Sequence, residues 1–313
     1  MKFDFTDFSK KRSQLMGISI LLIMIFHCGL YLNSRFTPFC VVGVEFFLVI
    51  SAIGLFFSLS KNTDKLSFYK KRVLRILPTY FIVAAPYFAH NQKFEIGNYL
   101  FNLSGLCIID DQRYFWFIGQ ILICYLIAPF YFGVMKYKLS ILIPFITLVV
   151  CYYLGLLFPS LAIMLNRFAI FFLGFHLAAL VYNKKVVNSW LVLPICVLSI
   201  VLIPIIGNMQ IYEGIQRTAY FFLSIPALAG MVMLLNKCPS FIDKCLVFVG
   251  GITLEIYLLH ERICLRIMQL VLGPLLGAFM SIPLCIVMAY LLSRLMKKVN
   301  QYLFSFGAPS RFS

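Results

Sequence analysis

The stretch from Leu15 to Leu32 is a nearly unbroken apolar run that follows directly on Lys10-Lys11-Arg12, with one histidine, His27, set well inside it. A bilayer core about 30 Å thick is crossed by roughly 20 apolar residues in helix, and a basic flank stays on the cytoplasmic side. The run therefore reads as a first membrane span entered from the cytoplasm. At about 1.5 Å rise per residue, His27 lies roughly 22 Å beyond Arg12, in the outer half of the membrane. An ionisable side chain at that depth calls for a partner or a chemical task.

The same pattern recurs along the chain. Apolar spans fall near residues 13–33, 39–60, 76–90, 114–134, 139–158, 162–182, 187–206, 216–235, 246–267 and 273–294. Ten crossings put both termini on one side. The fold class expected is all-α, a polytopic integral membrane protein of about ten transmembrane helices with both termini cytoplasmic, and a single domain over residues 1–313. The loop charges sort accordingly. Lys61, Lys65, Lys70, Lys71, Arg72, Lys136, Lys138, Lys184, Lys185, Lys237, Lys244, Arg294, Lys297 and Lys298 all fall on the side of the N-terminus. The opposite side holds chiefly Arg35, Lys93, Arg113, Arg217, Arg262 and Arg266, together with the acidic Glu95, Asp110, Asp111 and Glu213.

Composition excludes the competing classes. With 62% hydrophobic and only 12% charged residues, and a mean hydropathy of +0.95, the chain has more apolar surface than a soluble domain can bury. The net charge of +16 does not indicate nucleic acid, because the basic residues stand in short clusters between apolar runs. Most of the ten cysteines lie within apolar runs, without a CxxC pair or Cys/His metal spacing, and read as small packing residues; no metal is expected. A cleaved signal peptide is disfavoured because no small-x-small site follows the first run. No internal repeat is visible, which weakens an inverted-repeat transporter.

Chemistry is sought where polar groups are forced into lipid. Glu45, in the second span, falls about 6 Å below the outer surface, close to the depth of His27. Two ionisable groups at matching depth on adjacent antiparallel helices can pair, with Glu45 orienting the imidazole; the competing reading is an interfacial carboxylate. Arg72 and Arg75 are three apart and share one helix face at the cytoplasmic boundary. Guanidinium forks suit phosphate, although basic residues at such a position also answer to anionic lipid and topology. Trp116, in the cluster Tyr114-Phe115-Trp116-Phe117, reads first as an interfacial belt anchor and second as a platform for a sugar ring. Arg167 and His176 each read as packing or topology residues. Glu255 and His260, five apart on the ninth span, do not share a helix face, so no metal pair is expected there.

These features together resemble the acyltransferase-3 family of integral-membrane O-acyltransferases, which are widespread in bacteria and acylate sugars and surface glycans. The resemblance rests on His27 in the first span, Gly43 to Ser51 in the second, Arg72-x-x-Arg75 with Pro78 and Tyr80, Trp116 with Tyr125 and Pro129, and Thr253 to His260. In that family the first span also carries an arginine, at the position held here by Met16; Arg12 lies one turn nearer the cytoplasm on the same face and can reach up to take its place. Ala52 stands where the family has a glycine after the serine.

The resemblance implies a protein of the bacterial cytoplasmic membrane that moves an acetyl or other short acyl group from cytoplasmic acetyl-CoA or another acyl-CoA to a hydroxyl of a sugar, glycolipid or surface polysaccharide. In that reading His27 is the general base and Glu45 or Glu255 its carboxylate partner. Arg12, Arg72 and Arg75 then handle the donor, and the partners are the lipid bilayer, acyl-CoA and a glycan acceptor, not nucleic acid. The alternative is a transporter or flippase of a glycan or glycolipid, for which the absence of arginine at Met16 argues. A purely structural membrane protein has no need of His27, Glu45, Arg167 and Glu255 inside lipid.

Overall fold

The computed structural model describes residues 2–32, 37–61, 64–91, 95–111, 113–209 and 211–305, and Arg35 and Lys93 lie outside the described residues. The chain is helical almost throughout. The first eight crossings are α1 (Arg12–Tyr31), α2 (Gly43–Lys61), α3 (Lys65–Asn91), α4 (Trp116–Val134), α5 (Ile143–Leu157), α6 (Phe168–Tyr182), α7 (Ser189–Asn208) and α8 (Glu213–Leu235). Then follow α9 (Ser240–Gly251), α10 (Thr253–Leu259), a π-helical turn (His260–Leu265), α11 (Arg266–Leu272) and α12 (Pro274–Ser305). Among the described residues, nine helical stretches are long and apolar enough to cross a membrane.

The expected ninth crossing, 246–267, is not one continuous helix. It breaks at Ile252, after Gly250-Gly251, and widens into the π turn at His260. Two glycines in succession lower helix propensity, and an interrupted backbone is tolerated at membrane depth only where protein or a cavity satisfies its groups. Both conditions hold here, because Gly250, Gly251 and Thr253 line an internal cavity. The third crossing is longer than 76–90, since α3 begins at Lys65 and continues past Pro78 and Pro86. Two short helical pieces, Ile96–Leu103 and Leu106–Asp110, occupy the connection between α3 and α4.

Helix α1 sits centrally, against α2, α9 and α12. Its approach to α9 is backbone to backbone: a Cβ on Gly250 would overlap the Ser13 carbonyl, and one on Gly17 would overlap that of Leu246. In lipid, where apolar contact alone gives little preference for association, such small-residue contacts let helices pack closely. At the basic end, β1 (Lys2–Asp4) pairs antiparallel with β2 (Val186–Asn188), with Lys2 opposite Asn188. Lys11 and Gln14 both donate to Asp243, at 2.8 and 3.0 Å, and fix the entry of α1 to that of α9. These ties hold α1 in register, and α1 carries both Arg12 and His27.

Candidate active site

Two cavities lie one above the other along α1. The first, at the basic end, has a volume of about 310 Å³ and is lined by Arg12, Met16, Gly54, Arg72, Arg75 and Tyr125, among others. The three arginines expected to act together on the donor thus do face one space. Arg12 reaches up from the first turn of α1, its Nε 3.5 Å from the carbonyl oxygen of Ile50, and its guanidinium lies on the bare backbone of Gly54. A Cβ at Gly54 would come within 2.6 Å of Arg12 Cζ. Met16 lines the same cavity, one turn above Arg12 on α1.

The arginines differ in what balances them. Arg75 makes a two-pronged pair with the fully buried Glu255, at 2.8 and 3.2 Å. Among the described residues neither Arg12 nor Arg72 has a carboxylate within ion-pair reach. Arg72 instead stacks over Phe68 and Tyr125, with Cζ 5.1 and 5.9 Å from their ring centres, and its buried Nε has no hydrogen-bond partner. The cavity therefore presents two uncompensated guanidinium groups, a demand for anionic oxygen.

The second cavity, about 660 Å³, opens toward the other end and is lined by His27, Trp116, Arg167, Arg217, Glu213 and Glu261, among others. Ile23, one turn below His27 on α1, lines both cavities and is the wall they share. The carboxylate beside His27 is neither Glu45 nor Glu255. Glu261 Oε2 lies 3.7 Å from His27 Nδ1, brought there by the π turn that follows α10. Glu255 is engaged by Arg75, and Glu45 accepts from Arg167 Nε at 3.1 Å and Arg217 Nη1 at 2.9 Å. The matching depth of Glu45 and His27 is thus not enough to pair them, because two guanidinium groups engage Glu45, which does not line the outer cavity. His260 packs against His27 with ring centres 5.0 Å apart.

Arg167 and Arg217 are the polar residues whose importance the sequence understates. With the buried Glu45 and the half-buried Glu213 they form a cluster of two arginines and two carboxylates, and Glu213 lies 3.3 Å from Arg217 and 3.8 Å from Arg167. Trp116 faces this outer cavity rather than standing only as a belt anchor, and the Arg167 guanidinium lies over its ring at 5.1 Å. His176 is tied to the Tyr131 hydroxyl at 2.8 Å, away from both cavities, as a packing residue would be.

Chemically, the arrangement places an anion-seeking pocket beneath an imidazole that has a carboxylate behind it and an open cavity in front. A family model described as an acyltransferase domain matches residues 15–297, from the start of the first apolar run to the last turns of α12. No curated protein and no solved structure matches the chain.

Proposed function

The chain belongs to the acyltransferase-3 family of membrane acyltransferases, and from that premise we propose that it transfers an acetyl or other short acyl group from a cytoplasmic acyl-CoA to a hydroxyl of a sugar, glycolipid or surface glycan. The observation that carries this reading is the pair of cavities that meet at Ile23, one with two unbalanced arginines and the other with His27. The positive-inside distribution of loop charge puts the arginine cavity on the cytoplasmic side, where acyl-CoA is found.

Arg12 and Arg72 then bind the donor's phosphates, and Arg75, held by Glu255, braces α3 against α10. The acyl end points along Ile20, Ile23, Phe47 and Phe117 toward the imidazole. A thioester is already activated, so the protein's work is to hold the reactants together and to take the hydroxyl proton. Glu261, on the Nδ1 side, orients His27, which leaves Nε2 to accept that proton from the acceptor. The hydroxyl oxygen forms the ester bond as the carbon–sulfur bond breaks, and the sulfur leaves as thiolate and is protonated. The acceptor sits in the outer cavity, where Trp116 offers a face to a sugar ring.

Labelled acetyl-CoA supplied to inside-out membrane vesicles tests the proposal. Incorporation of label into glycan, lost in His27→Ala at equal protein level, is the expected result. Translocation of glycan without incorporation supports the transporter reading instead. Comparing the masses of surface glycan from cells with and without the protein identifies acyl group and acceptor together.

A further inference from the structure

His27 and Glu261, which line the outer cavity, converge with the buried His260 behind them in a way that proton abstraction does not require. His27, His260 and Glu261 each offer one ligand atom, and the three atoms lie within 4.8 Å of one another. His260 is 5% exposed, and its Nδ1 faces two backbone carbonyls, those of Tyr257 at 2.7 Å and Ile256 at 3.2 Å. Carbonyl oxygens only accept, so Nδ1 carries the hydrogen and Nε2 is left as a bare lone pair. That buried Nε2 has no hydrogen-bond partner. A backbone carbonyl fixing one ring nitrogen while the other is free to ligate is the usual arrangement around a metal-binding histidine. His260 and Glu261 lie in the π turn, a distortion that concentrates at functional sites.

We propose that His27, His260 and Glu261 form a site for a divalent first-row transition ion, with Zn²⁺ the representative, and that occupancy of this site from the outer face blocks acyl transfer. Two imidazoles and a carboxylate are a nitrogen–oxygen set suited to such ions and leave a coordination position open toward the cavity. The block follows because coordination takes the lone pair of His27; this part rests on His27 being the base, whereas the metal site itself does not. Of the arginines that line this cavity, Arg262 is the one in contact with the cluster. Arg262 lies 3.4 Å from Glu261 Oε1 and over the ring of Tyr114 at 4.8 Å, so it occupies one carboxylate oxygen and leaves Oε2 toward His27.

The test uses the full-length protein in lipid nanodiscs, titrated with Zn²⁺ by calorimetry and with Co²⁺ by visible absorption. One ion per chain is expected. His260→Gln should weaken binding by at least the roughly 10–100-fold that changes around a metal site cost, and Arg262→Gln should tighten it by removing the adjacent positive charge. In right-side-out vesicles loaded with labelled acetyl-CoA, external Zn²⁺ should stop transfer by the parent and do so less readily in His260→Gln. No binding, equal affinity in both variants, or stimulation of transfer by Zn²⁺ overturns the proposal. If His260→Gln does not accumulate, the Arg262→Gln titration still decides whether the ion sits at this cluster. Undiminished transfer by His27→Ala would remove the base from the reading above and leave the metal titration to be judged alone.

Discussion

Arg12 and Arg72 at one end of the bundle and Arg167 and Arg217 at the other are the same residue type in the same kind of solvent, yet their surroundings are opposite. The outer pair is almost fully enclosed and shares Glu45 and Glu213, two positive charges against two negative ones. Both pairs line a cavity, but among the described residues the inner pair has no carboxylate within ion-pair reach. Burying a charge without a partner is costly, so an ionic cluster complete within the protein is structural, and one left incomplete is completed by something that binds. On the proposed function, the outer arginines hold α2, α6 and α8 together and the inner ones are left for the donor.

The largest expected effect comes from breaking the outer cluster. Glu45→Ala leaves Arg167 and Arg217 enclosed without their shared oxygen, and loss of one partner from a buried ion cluster costs about 3–5 kcal/mol. Thermal unfolding in detergent should show a large fall in midpoint, and the protein level in membranes should drop. A midpoint unchanged from the parent would mean that the cluster is not structural. The matching change at the inner end, Arg72→Ala, should behave in the opposite way. Its folding midpoint should move little, while acyl-CoA binding weakens by about 10–100-fold, the equivalent of one charge-assisted hydrogen bond of roughly 1.5–3 kcal/mol.

Gly54→Ala sharpens the comparison without touching a charge. The added methyl overlaps the Arg12 guanidinium, the flexible end of a long side chain, so the arginine is displaced and the helix is not. Donor affinity should fall several-fold at unchanged stability. Met16→Arg in the same cavity should be tolerated, because an arginine near a helix end can extend to the interface, and in an Arg12→Ala background it should restore transfer. Failure of that rescue, with Arg12→Ala itself harmless, would remove this face of α1 from donor handling.

The smallest effect lies at the mouth of α1. Hydrogen bonds from Lys11 and then Gln14 hold the Asp243 carboxyl below its usual range. A lowered folded-state value means that the contribution is present above the unfolded carboxylate pKa and is lost as pH falls through the lower, folded one. Asp243→Asn should therefore lower the midpoint slightly at neutral pH, match the parent in acid where the carboxyl is protonated in both states, and so flatten the decline below about pH 4. An unaltered acid limb would show that Asp243 contributes nothing to the tie between α1 and α9.

The sequence discloses the architecture because lipid imposes it. Each apolar run of about 20 residues has only one regular way to satisfy its backbone, and loop charge sets the sides. His27 and the three arginines of the inner cavity are legible for the same reason, as charges whose depth follows from counting residues along a helix. What counting cannot give is lateral neighbourhood. Glu45 and its partners are 122 and 172 positions apart, and Arg75 and Glu255 are 180 apart, so these pairs depend on which helices pack side by side. Glu261 beside His27 depends further on a break at Ile252 and a π turn at His260. Gly250-Gly251 signals the break in the sequence, but no local pattern signals the direction the chain then takes.

The central claim is that the unbalanced arginines of the inner cavity bind the donor and the balanced ones of the outer cluster do not. Equilibrium binding of acetyl-CoA to the purified protein in nanodiscs tests it most directly, comparing the parent with Arg12→Ala/Arg72→Ala at matched unfolding midpoints. The account predicts that the double variant keeps the parent's midpoint and loses about 100-fold or more in affinity, and that added salt weakens binding to the parent far more than to the variant. Parental affinity in the double variant would contradict it.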